Sequence, residues 1–170
     1  MISRRSFLSV FALIAVTACA APLLNEEQAA NLQVRSVTVD ISQFENGVAG
    51  RNIAIPSAQV KADLEAALRR TLGASSQGNA DVVVVLTKMW LVSPGQSIML
   101  GGNSSITGIV SVASVHNGQP ILAPTEVVGI SNKRTVGGII GALSRSSAEE
   151  DYRETITGFA LNLKKRLFGG

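Results

Sequence analysis

The chain of 170 residues predicts an α+β fold, a two-layer α/β sandwich in which a mixed four-stranded sheet carries two helices on one face. Two amphipathic helical patterns and four strand-like runs support this prediction, in the order β-α-β-β-β-α. A right-handed crossover through the first helix makes the first two strands parallel, and the last two strands add a meander.

Ahead of this domain, the chain has the three parts of an export signal in order. Arg4 and Arg5 form a basic start, residues 7–16 are mostly apolar, and small residues lead to Cys19. About ten such residues make about 15 Å of helix, whereas a bilayer span needs about 20 residues. We therefore predict a cleaved signal peptide over residues 1–18.

The end of this signal resembles the lipobox of bacterial lipoprotein precursors, in which an aliphatic residue and two small residues precede a cysteine. Here the four positions are Val16, Thr17, Ala18 and Cys19. The resemblance implies that the Cys19 thiol receives a diacylglyceryl group and that the mature chain begins there, with a second acyl chain completing a stable anchor. The alternatives are a buried free cysteine, or an ordinary signal peptide in which the cysteine is incidental. Cys19 is the only cysteine, and lipidation explains its place at the cleavage point.

Neighbouring residues bear on the export route and the target membrane. Residues 3–8, SRRSFL, also resemble the twin-arginine signature, whereas the short apolar segment suits the general secretory route, so both routes stay open. In Gram-negative lipoproteins an aspartate after the lipidated cysteine commonly marks retention at the inner membrane. Ala20 stands at that position, so the resemblance implies an anchor on the periplasmic side of the outer membrane.

Removal of residues 1–18 changes the charge of the protein. Of 15 basic residues 13 remain against 12 acidic ones, so the net charge falls from +3 to +1. Nucleic-acid binding would need a basic face that persists in the mature protein, and we predict no nucleic-acid partner. The rest of the chain suits one domain, which we expect over residues 32–170 after a polar tether over residues 19–31.

The first strand and the first helix follow this tether. Alternating apolar and polar residues predict a strand over residues 34–41, and a loop then leads to a helix over residues 57–72 with apolar residues at helical spacing. We predict Ser57 as the N-cap of this helix and a left-handed end at Gly73.

Three further strands complete the predicted sheet. Residues 81–92 contain an unbroken aliphatic run, which indicates a central strand covered on at least one face. After a loop rich in glycine and serine, the third strand covers residues 106–116 and meets Asn117 and Gly118, a strong hairpin signal because both residues tolerate positive φ. The fourth strand, residues 119–131, contains two prolines, which indicate a sheet edge.

The last helix is marked at both ends. Ser147 and Glu150 predict a capping box. An apolar stripe follows at helical spacing, formed by Tyr152, Ile156, Phe159, Leu163 and Leu167. Acidic residues 149–151 at its start and basic residues 164–166 at its end suit the helix dipole. The basic residues could also contact anionic lipid, although a solvated helix end explains them.

Over residues 32–168 the order of elements resembles that of small proteobacterial lipoprotein families of unknown function. Their domain is similar to the anticodon-binding-like domain of curli-secretion-type lipoproteins. The resemblance implies an α/β sandwich that binds other envelope proteins or associates with itself.

The segment VGGIIGAL, residues 136–143, calls for its own explanation. Gly137 and Gly141 have the spacing that lets two helices approach closely, and Gly138 and Ala142 repeat it. Eight apolar residues are too few to span a bilayer. The segment is either a glycine-rich loop or a patch that contacts a partner or the membrane.

Catalytic chemistry has little support in the sequence. His116 is the only histidine and adjoins a predicted turn, so neither a zinc site nor a nucleophile-base pair can be assembled by the usual residues. Glu149, Glu150 and Asp151 are explained as helix-start acids. We predict that the protein is not an enzyme and needs no metal and no cofactor other than the covalent lipid on Cys19.

Two classes of function remain. The first is a non-catalytic accessory or scaffold lipoprotein that binds another envelope protein through its open sheet face or a sheet edge, with self-association as one form of this binding. The second is a periplasmic carrier that holds a lipid or an apolar small molecule in a cavity.

Mass spectrometry of the membrane-extracted protein tests the anchor. We expect a mature chain that begins at Cys19 and carries added acyl mass. A Cys19→Ala variant serves as the control and should lose that mass, because it has no thiol to acylate. An unmodified chain that keeps residues 1–18 would overturn the export hypothesis.

Overall fold

A computed structural model of the chain describes residues 21–44, 47–51, 53–93, 96, 102–131 and 147–169. Within these ranges no helix combines the length and the apolar character needed to cross a bilayer.

The sheet contains five strands. Four of them lie side by side in the order β1 (Val34–Asp40), β3 (Ala80–Trp90), β4 (Ser105–Ser114) and β5 (Pro120–Ile130). The two-residue β2 (Val48–Ala49) pairs with the end of β3, beyond the point where β1 stops. β1 and β2 run parallel to β3, whereas the β3–β4 and β4–β5 pairs are antiparallel. The predicted α+β fold with a mixed sheet is confirmed, and β2 is an additional strand.

The described helices are α1 (Glu26–Asn31), α2 (Ser57–Leu72) and α3 (Ala148–Phe168). α2 packs on β1, α3 packs on β4 and β5, and the two helices pack against each other. Alternate strand residues are buried beneath this layer: Val37, Val39, Val82, Val84, Leu86, Ile106, Val110 and Val127. All five residues of the apolar stripe predicted for α3 are buried as well.

The helix ends agree with the sequence only in part. Gly73 ends α2 in the left-handed region with φ of 69°, and the Ser147 hydroxyl accepts a hydrogen bond of 3.1 Å from the Glu150 amide at the start of α3. The prediction of Ser57 as an N-cap is wrong. Pro56 occupies that position with φ of −59° and without a side-chain cap, and its fixed φ lets the helix begin at Ser57 itself.

The hairpin between β4 and β5 exists, but its turn is longer than the two-residue turn typical of Asn-Gly. The Ser114 amide donates to the Gln119 carbonyl and the Gly118 amide donates to the Ser114 carbonyl, both at 2.9 Å. Gly118 has φ of 68°, whereas Asn117 keeps a negative φ and accepts a hydrogen bond from the Gln119 amide through its side chain. Asn117 was expected to adopt a positive φ, but it stabilises the turn through its side chain instead.

Residues 23–32 pack against the domain. Leu24 and Leu32 are only 5% and 6% exposed, and the Leu23 amide donates a hydrogen bond of 2.7 Å to the Arg166 carbonyl near the end of α3. Asn25 caps α1 with a reciprocal capping box. The segment predicted as a tether therefore includes a helix and a docked stretch, and its part from Leu23 onward follows the surface of the domain.

The contact between α3 and β5 is close enough to involve backbone atoms. A Cβ atom on Gly158 would lie 2.3 Å from the Ile130 carbonyl oxygen, and a Cβ atom on Gly129 would lie 2.4 Å from the Phe159 Cα. The Phe159 side chain is fully buried, and its ring end lies near Gly108 of β4. Gly129 of β5 and Gly108 of β4 leave the space that this ring fills, whereas Gly158 lets the helix backbone approach Ile130.

Gly158→Ala is expected to lower the free energy of unfolding by about 1–3 kcal/mol, because the added methyl group overlaps the β5 backbone. In an exposed helix interior the same change would stabilise the protein by about 1 kcal/mol, so the sign of the effect is informative. Urea unfolding followed by circular dichroism measures it. Leu161→Ala, on the exposed side of the same helix, is the control and should change the free energy by less than about 0.5 kcal/mol.

Candidate functional site

The described helices bury one face of the sheet and leave the other uncovered. We call the second face the open face and define it by side chains of β3, β4 and β5: Val83, Val85, Lys88, Trp90, Ser105, Thr107, Ile109, Val128 and Ile130. The strand register groups them into rows. Ser105 lies between Trp90 and Ile130, and the next row has Thr107 between Lys88 and Val128.

Apolar side chains of the open face are exposed to solvent. Val83 is 36% exposed, Val128 47% and Ile130 49%, while Val85 and Ile109 are half-buried. The two most exposed residues are neighbours on one side of β5, at the end of the sheet where Trp90 lies. A grouped apolar surface of this kind is more informative than single exposed residues, because it is the usual mark of a contact site.

A β-bulge in β3 turns part of this surface outward. The register shifts between Leu86 and Lys88. Up to Leu86 the even-numbered residues are buried, whereas after the bulge the buried residue is Met89. Lys88 and Trp90 consequently point to the open face, with the Lys88 ammonium 5.7 Å from the centre of the Trp90 ring. Without the bulge, the alternation along the strand would direct the Lys88 side chain into the core.

Both edges of the sheet are protected from further pairing. At β1, the Glu65 side chain accepts a hydrogen bond from the Val39 amide at 2.8 Å and Arg69 donates to the Val37 carbonyl at 3.1 Å. At β5, Pro120 and Pro124 have no backbone N–H group to donate to an added strand. Strand addition at these parts of the two edges is thus disfavoured, which favours the open face as the surface for a partner.

An ion pair lies at the end of the open face that is opposite Trp90 and Ile130. The Arg35 Nε donates to Asp81 Oδ1 at 3.0 Å and the Ser36 hydroxyl donates to the same oxygen at 2.6 Å. These hydrogen bonds, chiefly the one from Arg35, hold the pKa of Asp81 below its usual value. The open face is therefore ion-paired and hydrogen-bonded at one end. The other end, called the apolar end below, exposes Val128 and Ile130, which Lys88 and the exposed Glu126 border.

A buried polar cluster supports the apolar end from beneath. The Ser104 hydroxyl donates to Asp151 Oδ2 at 2.8 Å and accepts from the Val92 amide at 3.0 Å. Arg51 Nη1 lies 3.7 Å from the same carboxylate oxygen, and Asp151 is only 6% exposed. Asp151 lies in the acidic first turn of α3, as predicted, and the structure adds a buried contact that this position did not reveal. The signal that could have found it is its spacing from the buried Thr155, which places both residues on the inner side of α3.

A groove of about 470 Å³ lies between α2 and α3. Its floor contains Tyr152, whose hydroxyl donates to Asp63 Oδ2 at 2.8 Å, and Arg70 and Arg153 are among the residues that line it. Burial raises the pKa of the Tyr152 phenol, and the hydrogen bond to the Asp63 carboxylate raises it further. The groove is therefore lined by charged side chains as well as by apolar ones.

The residues that the sequence singled out as sites lie outside the described residues. This holds for the export signal (Arg4, Arg5), the lipobox (Val16, Thr17, Ala18), the lipidation site Cys19, and the patch of Gly137, Gly138, Gly141 and Ala142. Each of these assignments stays a prediction. His116 is described, and it is exposed in the β4–β5 turn. Within the described part of the chain, no three His, Cys, Asp or Glu side chains are grouped as metal ligands.

Comparison with known proteins gives similarity of structure only. No protein-family model matches the chain, and no curated protein matches it significantly. A Xanthomonas campestris protein of the family DUF330 has a TM-score of 0.49 at 9% identity, with 89% of this chain and 86% of that chain covered. A protein from Caulobacter crescentus that is described as a candidate lipoprotein has a TM-score of 0.39 at 10% identity, over 84% and 91%.

A PelC dodecamer from Paraburkholderia phytofirmans is also similar, with a TM-score of 0.39 at 12% identity over 85% of this chain and 92% of that chain. None of these three descriptions mentions a curli-type or anticodon-binding domain, so that resemblance stays a prediction. At such values no residue correspondence and no function are transferred to this chain.

Ser104→Ala is expected to lower the free energy of unfolding by about 1–3 kcal/mol, because it leaves the buried Val92 amide and the Asp151 carboxylate each short of one hydrogen bond. Ser105→Ala is the matched control, since Ser105 is the next residue and its side chain is on the half-exposed open face. Urea unfolding of the two variants measures the difference. Equal effects would contradict a stabilising role for the buried cluster.

Proposed function

We propose that this chain is a lipid-anchored envelope protein, held at the outer membrane through Cys19, that acts without catalysis as an accessory or scaffold. Its partner is another envelope protein, which binds the open face. The observation that carries this proposal is the adjacent exposure of Val128 and Ile130 on β5, on a sheet whose other face is buried by helices.

A folded protein surface suits the open face as its binding partner. About half of each exposed side chain is already buried by its neighbours, so its complete burial contributes about 1 kcal/mol to binding. Thr107 and Ser105, between the apolar residues, can hydrogen-bond to a partner, and Lys88 with Trp90 borders the surface. Apolar centres with polar and charged surroundings are typical of protein interfaces.

The alternative function, a carrier of a lipid or apolar molecule, has less support. Such a carrier needs a mostly apolar cavity, whereas the groove between α2 and α3 is lined by Asp63, Arg70 and Arg153 among other residues. Lipid extraction of the purified protein, followed by mass spectrometry, would reveal a stoichiometric non-covalent lipid if this alternative held.

Photo-crosslinking in intact cells tests the proposed surface. We expect a photoreactive residue placed at Val128 or Ile130 of the full chain to give a discrete cross-linked product, because both side chains would be buried against the partner. Leu161, which is 44% exposed on α3, is the matched control position and should give none. A charged substitution, Val128→Lys in the chain labelled at Ile130, should reduce the product several-fold, whereas Leu161→Lys should leave it unchanged.

The identity of the product decides between the outcomes. Mass spectrometry that finds a second envelope protein in it supports the proposal. A product made of two copies of this chain would overturn the external partner and show that the open face binds a second copy of the chain. A protein that stays fully folded by circular dichroism but gives no product at either open-face position would rule the surface out.

A further inference from the structure

The structure restricts how a chain anchored through Cys19 can stand on its membrane, an argument that rests on the anchor proposed above. Leu23 is bound to the Arg166 carbonyl by a hydrogen bond of 2.7 Å, and Leu24 is buried. Three residues lie between Cys19 and Leu23, which makes four steps along the chain, and a fully extended chain covers at most about 3.6 Å per step. The lipidated residue therefore lies within about 14 Å of the point where the chain docks on α3.

This docking point lies at one particular end of the domain. One small groove there is lined by residues from three elements. Leu32 follows α1, Leu72 and Gly73 end α2, and Phe168 ends α3. The last turns of α2 and α3 are thus neighbours of the docked residues. The start of α3 is about 30 Å away along the helix axis, because 1.5 Å separates successive residues of a helix.

The charges of the two ends have opposite sign. The end beside Leu23 carries exposed Lys164 and Lys165, and also Arg69 and Arg70 of the last turn of α2. Exposed Glu26 and Glu27 of α1 offset part of this charge, and Asp81 is already paired with Arg35. The opposite end carries the acidic first turn of α3, formed by Glu149, Glu150 and Asp151. Arg51, beside Ser147 and Asp151, and Lys88, over the Trp90 ring, offset part of that charge.

We propose that the basic end, formed by the last turns of α2 and α3, faces the bilayer and binds anionic lipid headgroups. The short connection to Cys19 confines this end to the neighbourhood of the headgroups, and the charge distribution selects it over the acidic end. At the membrane surface each basic residue contributes about 1 kcal/mol of attraction, which corresponds to about fivefold in binding. The apolar end of the open face then points away from the bilayer, where another envelope protein can reach it.

Fluorescence quenching on vesicles tests this orientation. The full, acylated chain is reconstituted into vesicles of phosphatidylethanolamine and phosphatidylglycerol that contain a quencher at headgroup level. A fluorophore is attached in two variants, Lys165→Cys and Arg153→Cys, since the lipid on Cys19 leaves no other thiol. Both changes remove one exposed basic residue from the same helix, and the two positions are about 18 Å apart along its axis.

We expect the label at position 165 to be quenched several-fold more than the label at position 153. Replacing phosphatidylglycerol by zwitterionic phosphatidylcholine should reduce this difference, and so should Lys164→Glu in the Lys165→Cys variant. Thr157→Glu, an exposed position outside the last turn, is the control and should leave it unchanged.

Intact mass separates the two hypotheses. An acylated chain whose labels are quenched equally, or more at position 153, overturns the orientation and leaves the anchor intact. Greater quenching at position 165 that does not depend on phosphatidylglycerol overturns the headgroup contact. A chain without acyl mass overturns the proposed anchor and this inference with it.

Discussion

The close contact of α3 with β5 determines most of what this domain presents to its surroundings. Gly129 and Gly158 bring the helix to backbone distance from the sheet, and the Phe159 ring packs over Gly129 and Gly108. Because α3 is held along its middle, its two ends are fixed as well. Asp151 meets Ser104 near the start, and the carbonyl of Arg166 binds the incoming chain near the end. A shift of the helix along β5 would break both contacts.

This arrangement separates two surfaces by the length of the domain. The apolar part of the open face lies with the start of α3, whereas the docked residues and the basic helix ends lie at the other end. The residues that flank the segment 132–146, Ser131 and Ser147, belong to the apolar end, because the Ser131 amide binds the Ser104 carbonyl at 2.9 Å.

Periodicity predicted the elements well because burial of one face is recorded in alternate residues of a strand and in every third or fourth residue of a helix. The stripe of α3, the left-handed Gly73 and the proline-containing edge strand are all local signals of this kind. Ser57 was mistaken for the N-cap because residue types that favour the N-cap, such as serine, also occur in the first turn of a helix. The acidic first turn of α3 was predicted, but the burial of Asp151 was not, because the groups that bind it, Ser104 and Arg51, come from distant parts of the sequence.

The sequence by itself determined the fold class, the order of the elements and which side of each strand and helix is apolar. It also predicts an export signal and a lipobox, since both predictions rest on contiguous patterns. Only the tertiary structure decided that a bulge before Lys88 directs Trp90 to the open face, and that Leu23 docks on α3. Each of these depends on atoms brought together from separate segments, where close packing and hydrogen-bond satisfaction select one arrangement among many that the local pattern allows.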